Sequence, residues 1–195
     1  MALVLVTAPA VEPISTADAK SHLRVDISDD DTYIDTLVAV ARRTAERISR
    51  HALITQTWDL LLDAFPAGDV LEIPLPPLQS VTYVQYTDDD GNTSTFAASS
   101  YQVDAEGTPG RIALDFGETW PADMLQTVAG VRVRFVAGFG DAASDVPEDI
   151  IHAMKLMIGH WYENREDVTV GAVAREIPKA SEFLLANYRE LARSF

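Results

Sequence analysis

The sequence of 195 residues contains no cysteine. Disulfide bonds and thiolate metal sites are therefore excluded, and with them a secreted fold that disulfides hold together. Basic residues are also scarce, since 15 Lys and Arg stand against 30 Asp and Glu, and the formal net charge is −15. A nucleic-acid binder needs Lys and Arg for the phosphates, so general DNA binding is unexpected, and such a surface would repel DNA that passes close to it.

Long apolar runs are missing too. No stretch approaches the ~20 apolar residues of a membrane span. The first ten residues are apolar, but they have no basic start and Pro9 interrupts them, which argues against a signal peptide. We therefore expect a soluble protein that is cytoplasmic when it is made.

Hydrophobic periodicity predicts two helices near the start of the chain. A start similar to a capping box at Ser15 predicts a short helix that ends near Arg24. A second helix is predicted from the acidic residues 29–31 to about residue 50, because apolar side chains recur there with helical spacing. That apolar stripe consists of Ile34, Leu37, Val38, Ala41, Ala45 and Ile48.

Two further helices are predicted near the other end. Pro147 is a favoured first helical residue, and the helix should end near residues 164–165. Its buried stripe is predicted to be Ile150, Met154, Met157, Ile158 and Trp161. Residues 167–177 lack a stripe and are interpreted as an extended loop. A final helix is predicted over residues 178–193, with Leu184, Tyr188, Leu191 and Phe195 on its apolar face.

Between these helical zones the apolar period changes to two, which is typical of strands. Short strands are predicted at residues 58–62, 71–75, 81–87, 93–96, 101–104, 111–115 and 131–136. Asp90-Gly91 indicates a type I′ hairpin. The sequence thus predicts an α+β fold: a four-helix bundle, built from residues 1–54 and 141–195, into which a small antiparallel sandwich or barrel of residues 55–140 is inserted.

Candidate metal sites are weak. His160 and Glu163 are three residues apart on one predicted helix with His152 two turns earlier, but a structural metal site needs four ligands. Residues 88–92 resemble a calcium-binding loop, yet Thr93 stands where the glycine is needed and the late glutamate is missing. A solvated helix face and a hairpin turn are the favoured interpretations, and we predict no catalytic residue, metal or cofactor.

Two clusters invite a second interpretation as partner surfaces. Arg42, Arg43, Arg47 and Arg50 crowd one end of the second helix. They either form a solvated face that complements the helix dipole or a docking face for an acidic partner or neighbouring subunit. The aromatic residues at the end of the chain either pack on their own bundle or anchor in another protein.

An ordered series of short blocks resembles the head–tail connector (adaptor) family of tailed phages and gene transfer agents. The blocks are PISTADAKSHLRVD at residues 13–26, ALITQTWDL at 52–60, PLPPLQSV at 74–81, VPEDI at 146–150 and HWYENR at 160–165. The resemblance runs from about residue 13 to residue 189 and is weakest at residues 168–175.

The resemblance implies a structural protein, not an enzyme, in the neck of a virion or virus-like particle. Such connectors form a ring, twelve-fold like the portal, between the portal and the stopper or tail proteins, and DNA passes through the ring without specific binding. No membrane is involved. By region, the resemblance implies portal or neighbour contacts at Val168, Val170, Val173, Ile177, Tyr188, Leu191 and Phe195; we add Arg42, Arg43 and Arg47 from their charge.

Three alternatives are kept open. A stopper or tail-completion protein of the same particle would more often be all-β. A metal-dependent hydrolase would have to use His152, His160 and Glu163. A carbohydrate-binding module would have to use Trp58, Tyr101 and Trp120 as platforms, although aromatic side chains on strands are more often core.

Overall fold

The computed structural model describes residues 1–122, 124–165 and 179–189. In these residues the chain is a mixed α/β protein with four helices and two antiparallel sheets. It divides into two compact units. We call Met1–Pro9 with Thr55–Phe139 the β unit, and Ala10–Ile54 with Gly140–Phe195 the helical unit.

The helical unit contains α1 (Thr16–Leu23), α2 (Asp31–Ser49), α3 (Glu148–Glu163) and α4 (Lys179–Ala186). The predicted start of α1 is confirmed, because the Ser15 hydroxyl accepts a hydrogen bond of 3.0 Å from the backbone N–H of Asp18. Both α1 and α2 end at an arginine in the left-handed conformation, Arg24 and Arg50, with φ of 57° and 60°.

The core of the helical unit lies between the apolar faces of its helices. Helix α2 contacts α3, and α3 contacts α4. The predicted stripe of α2 is buried except for Ile48, which is half-buried. On α3 the predicted stripe is also confirmed, apart from the half-buried Trp161: the fully buried residues are Ile150, Met154, Met157 and Ile158.

The last helix differs from its prediction. Helix α4 ends at Ala186 and is followed by a turn in which the N–H of Tyr188 donates to the carbonyl of Leu185. Leu185 is fully buried and Leu184 only half-buried, so the buried face is one residue away from the predicted one. The run of apolar residues at 183–186 supports either face equally, which explains the error. Leu191 and Phe195 lie outside the described residues.

The β unit contains two antiparallel sheets. The first has five strands in the order β1-β2-β8-β4-β5, and the second has three in the order β3-β7-β6. The strands are β1 (Ala2–Thr7), β2 (Gln56–Leu62), β3 (Val70–Ile73), β4 (Leu78–Thr87), β5 (Thr93–Phe96), β6 (Tyr101–Asp104), β7 (Gly110–Leu114) and β8 (Val131–Ala137). Each predicted strand is present, and β3 stops early because Leu75 has a left-handed φ of 61°.

Strand β1 was not predicted. Its apolar run lacks the alternation of a half-buried strand, and the structure shows why: β1 is an edge strand paired with β2, and most of it is exposed on both faces. Val4, Leu5 and Val6 are all more than two-fifths exposed.

Strand β8 separates an apolar face from a charged one. Val131, Val133 and Phe135 are fully buried, as predicted. On the opposite face, the guanidinium of Arg134 donates two hydrogen bonds, of 2.8 and 2.9 Å, to the carboxylate of Asp59 on β2. Asp59 is only 5% exposed, and the two hydrogen bonds from Arg134 compensate its buried charge.

The hairpin between β4 and β5 is not the predicted type I′ turn. Thr87 pairs with Thr93, which leaves a five-residue loop. Within it only Gly91 has a positive φ, whereas a type I′ turn needs two such residues. The Asp88 carboxylate accepts a 2.7 Å hydrogen bond from the backbone N–H of Asn92, and it is therefore used to close the loop.

Candidate assembly surfaces

The arginine-rich end of α2 contains two kinds of arginine. Arg42 is enclosed: its side chain is 11% exposed, Nε lies 2.7 Å from Glu12 and Nη1 lies 3.0 Å from Glu46. Burial opposes the charge, but the two carboxylates together hold the pKa of Arg42 above its ordinary value. Arg42 therefore holds the segment before α1 against α2, and its partner contact stays a prediction.

Arg43, Arg47 and Arg50 are exposed. Arg43 and Arg47 are four residues apart and so share one face of α2, and Arg50 follows the last residue of the helix. Among the described residues, none of the three forms an ion pair. The structure thus brings together two of the predicted contact residues, Arg43 and Arg47, with Arg50.

A cleft of about 450 Å³ lies beside this face, between the last turn of α2 and α4. Arg47, Arg50 and Arg189 surround it, and its apolar lining comes from Ile48 and Ala186. Glu182 is the one carboxylate among its lining residues. We call it the arginine cleft. Arg189 was not predicted as part of this surface, because nothing in the local sequence connects it with residues 47–50.

Tyr188 is engaged within the helical unit. Its hydroxyl donates a 2.7 Å hydrogen bond to Asp149, and its ring meets that of His51 edge to face at 5.9 Å. Burial, followed by the hydrogen bond to Asp149, raises the pKa of Tyr188 to about 12. The other predicted contact residues of the C-terminal region, Val168, Val170, Val173, Ile177, Leu191 and Phe195, lie outside the described residues.

A cluster that sequence reasoning missed fixes the end of α3 to the start of α2. The Asp30 carboxylate accepts hydrogen bonds of 2.6 Å from the Tyr162 hydroxyl and 2.7 Å from Arg165. The Arg165 guanidinium also lies over the rings of Tyr33 and Tyr162, at 4.7 and 4.9 Å. We call these four residues the Asp30 clamp.

The clamp lowers the pKa of Asp30, and parts of it are visible in the sequence. The hydrogen bonds from Tyr162 and then Arg165 hold the pKa of Asp30 below its ordinary value. The signal was the HWYENR block of residues 160–165 together with the acidic start of α2. The contact between these two segments could not be predicted from the sequence, because Asp30 and Tyr162 are 132 positions apart.

The residues of the alternative functions have other surroundings. Across the described residues, no three or more His, Asp or Glu side chains gather as metal ligands would. Trp120 stacks on Phe65 at 5.0 Å and donates from Nε1 to the carbonyl of Gly68. Tyr101 stacks on Phe96 at 5.8 Å. These rings contact one another within the β unit, as core aromatic residues do.

Of three comparisons with known proteins, only the one with solved structures found a match. Neither a protein-family model nor a curated protein matches the chain. Among the helices in the described ranges, none is long and apolar enough to span a membrane.

Solved structures of gene transfer agent (GTA) particles match almost the whole chain. The neck of an empty GTA particle, computed with C6 symmetry, contains a chain with 27% identity and a TM-score of 0.80. The virion of a native GTA particle gives 26% and 0.79, and the neck of a native particle with C12 symmetry gives 28% and 0.74. Each match covers 97% of this chain and 95% of the other chain.

These similarities indicate the class of protein, which is a structural component of the neck of a virus-like particle. They also confirm the predicted resemblance to a head–tail connector and its location in the particle neck. The particular chains that it resembles are neck proteins of gene transfer agents. The neighbours are structural neck components, which agrees with the expectation of a building block.

Proposed function

We propose that the chain is the head–tail connector, or adaptor, of a tailed phage or gene transfer agent. It forms a ring between the portal and the stopper or tail proteins, and the DNA passes through this ring. The observation that carries the proposal is the match of 97% of the chain to a GTA neck, with reconstructions of C6 and C12 symmetry among the matches. A twelve-fold ring satisfies both symmetries.

The architecture supports this role. We propose that the four helices form the bundle of the connector and that the β unit is its insertion, with domain limits near residues 54 and 140. The helical contacts support the bundle, and the two segments of the helical unit flank residues 55–139. The structure adds residues 1–9 to the β unit, which the sequence had not suggested.

The charge of the chain suits a channel for DNA. With a net charge of −15, a ring of such chains repels the phosphate backbone, so DNA slides through without sticking. We propose that the protein works as a building block without enzymatic activity, and that it needs no cofactor for this role. Its function then consists of binding the portal, its own copies and the stopper.

We assign contact with the portal or with a neighbouring copy to residues 167–177 and 188–195. The Asp30 clamp supports this because it fixes the end of α3, and so the point from which the chain continues into residue 166. Tyr188 fixes the corresponding point beyond α4 through Asp149. In this proposal Tyr188 orients the last residues, and Leu191 and Phe195 make the contact.

Co-purification with the cognate portal protein, followed by electron microscopy of the complex, tests the proposal. We expect a ring seated on the portal, and we expect deletion of residues 190–195 to lower the amount of bound chain at least about tenfold. A matched control is Phe116→Ser, which changes a fully exposed aromatic side chain of the β unit.

Two results would redirect the proposal. Binding to another neck ring with none to the portal would identify a stopper. A monomer that ignores the portal and carries stoichiometric metal would support the hydrolase.

A further inference from the structure

Seven of the basic residues that the structure describes form no ion pair there, and four of them lie close together; the other three are Arg24, Lys155 and Lys179. In the described residues, ion pairs engage Lys20, Arg42, Arg111, Arg132, Arg134 and Arg165. Of the described basic residues outside these pairs, four lie at or beside the arginine cleft: Arg43, Arg47, Arg50 and Arg189. Because like charges repel, an acidic group that meets such a cluster is favoured.

The cleft specifies the shape of its partner as well as its charge. Guanidinium groups form its rim, while Ile48 and Ala186 contribute apolar surface. A group that complements it carries an apolar side chain between carboxylates. A nucleic acid would satisfy the arginines alone, and the net charge of −15 works against its approach.

The chain itself carries such a group at the other end of α2. The loop between α1 and α2 reads Asp26-Ile27-Ser28-Asp29, which we call the acidic loop. Ile27 is 60% exposed, and Asp26 and Asp29 are exposed on either side of it. Neither carboxylate forms an ion pair within the described ranges.

The acidic loop is anchored on its α2 side. Asp30 is held by Tyr162 and Arg165 in the Asp30 clamp. Asp31 accepts a 2.6 Å hydrogen bond from Lys20 of α1. A loop held in this way loses little conformational entropy on binding, which favours its use as a docking element.

The loop and the cleft cannot meet within one copy. Helix α2 has 19 residues and so spans about 28 Å, with the loop at its start and the cleft at its end. Two different, complementary patches on one rigid unit make a head-to-tail contact, which closes into a ring when the rotation between copies allows it.

We infer that the acidic loop of one copy docks in the arginine cleft of the next copy, with Ile27 against Ile48 and Ala186, and Asp26 and Asp29 against the arginines. This inference rests on the proposed function, because it names the contact between neighbours in the ring. It does not require any particular portal residue.

The lack of cysteine makes a direct test available. Ile27→Cys and Ala186→Cys each introduce a single thiol at an exposed position. The two variants are mixed, assembled on the portal and treated with a short bismaleimide. We expect a cross-linked dimer in the mixture that is absent when either variant is treated alone. Phe116→Cys replaces Ile27→Cys in the control mixture, since Phe116 is fully exposed in the β unit.

Charge exchange then tests the chemistry of the contact. Arg47→Glu with Arg50→Glu in the Ala186→Cys chain should lower the cross-link yield at least about tenfold. Asp26→Arg with Asp29→Arg in the Ile27→Cys chain should restore it. Arg47→Glu alone is the second variant if the double change alters the melting temperature.

Any other pattern overturns the inference. The loop and the cleft do not meet if the cross-link yield is no higher than in the Phe116→Cys mixture. The same conclusion follows if the arginine reversals leave the cross-link yield unchanged. Loss of the cross-link when duplex DNA is added would assign the cleft to nucleic acid. Portal binding is measured in the same samples, so a portal-bound chain without the cross-link rejects this contact and leaves the connector proposal intact.

Discussion

The two units of the chain use their arginines differently. In the β unit Arg111, Arg132 and Arg134 all form ion pairs with aspartates of neighbouring strands. In the helical unit Arg43, Arg47 and Arg50 stand exposed beside a cleft. The three arginines of the β unit are therefore paired internally, whereas the helical unit pairs Lys20, Arg42 and Arg165 but also keeps three exposed arginines that a partner could meet. In an assembly protein the second kind of surface is where subunits are expected to meet.

The same contrast separates two adjacent residues. Arg42 is enclosed by Glu12 and Glu46, while Arg43 is exposed and forms no ion pair within the described residues. Residue type and helix are the same, so the difference in function comes from what each side chain touches. We expect four changes to separate internal contacts from exposed side chains, and they are ordered from the largest expected effect on stability to the smallest.

The largest effect is expected from the core of the β unit. Phe135→Ala removes a fully buried ring from β8 and should lower the free energy of unfolding by about 3–5 kcal/mol. Urea unfolding followed by tryptophan fluorescence measures it, since Trp58 lies opposite Phe135 in the sheet. Phe116→Ala is the control, and we expect it to change stability by less than about 0.5 kcal/mol. Equal effects would contradict the burial described for the two rings.

Arg42→Ala and Arg43→Ala form the sharpest pair. Removing Arg42 breaks its charged hydrogen bonds to Glu12 and Glu46 and should cost about 2 kcal/mol. Removing Arg43 should cost less than about 0.5 kcal/mol. Thermal and urea unfolding of both variants measures the difference. A similar loss in both would remove the distinction between an internal and an external arginine.

The pKa of Tyr188 gives a pH-dependent prediction. Because the folded pKa is raised to about 12, against about 10 in an unfolded chain, folding favours the protonated hydroxyl. This stabilisation is complete below pH ~10 and is lost as the pH rises toward 12. Tyr188→Phe should therefore flatten the fall in unfolding free energy over that range. A variant that follows the wild-type curve above pH ~10 would show that burial and the hydrogen bond to Asp149 do not raise the pKa of Tyr188.

The smallest effect on stability is expected at the Asp30 clamp, when the pH is lowered. The pKa of Asp30 is lowered by Tyr162 and Arg165, so its stabilising contribution is present above its ordinary pKa and is lost as the pH falls through the lowered value. Asp30→Asn should reduce stability at neutral pH and should lose less stability than the wild type on acidification. Urea midpoints at about pH 7 and pH 3 measure this. Asp29→Asn, one residue away and exposed, should leave the acid dependence unchanged.

Sequence patterns predicted the elements whose signal is local. The stripe of α2 and the alternation of β8 were read correctly, because burial on one face imposes a period that a single segment displays. Strand β1 was missed because an edge strand exposed on both faces has no such period. The face of α4 was misplaced by one residue for a related reason, since its apolar run is continuous.

The candidate site was only partly predictable. The cluster of arginines on α2 was visible, but nothing local distinguishes Arg42 from Arg43: the partner of Arg42 is Glu12, 30 residues away. Arg189 joins the cleft from the other segment of the helical unit, and Tyr162 and Arg165 reach Asp30 from α3. Such contacts are properties of the tertiary fold, so no reading of neighbouring residues reveals them.

Strand β1 has a mechanical consequence. Because it pairs with β2, the chain passes between the two units three times: after residue 9, after residue 54 and after residue 139. A simple insertion would be tethered by two connections. Here a load that pulls the units apart is shared by three covalent tethers, and the first of them is loaded along a ladder of β1–β2 hydrogen bonds. A protease that cuts near residue 10 should therefore leave the fold intact and weaken its resistance to force.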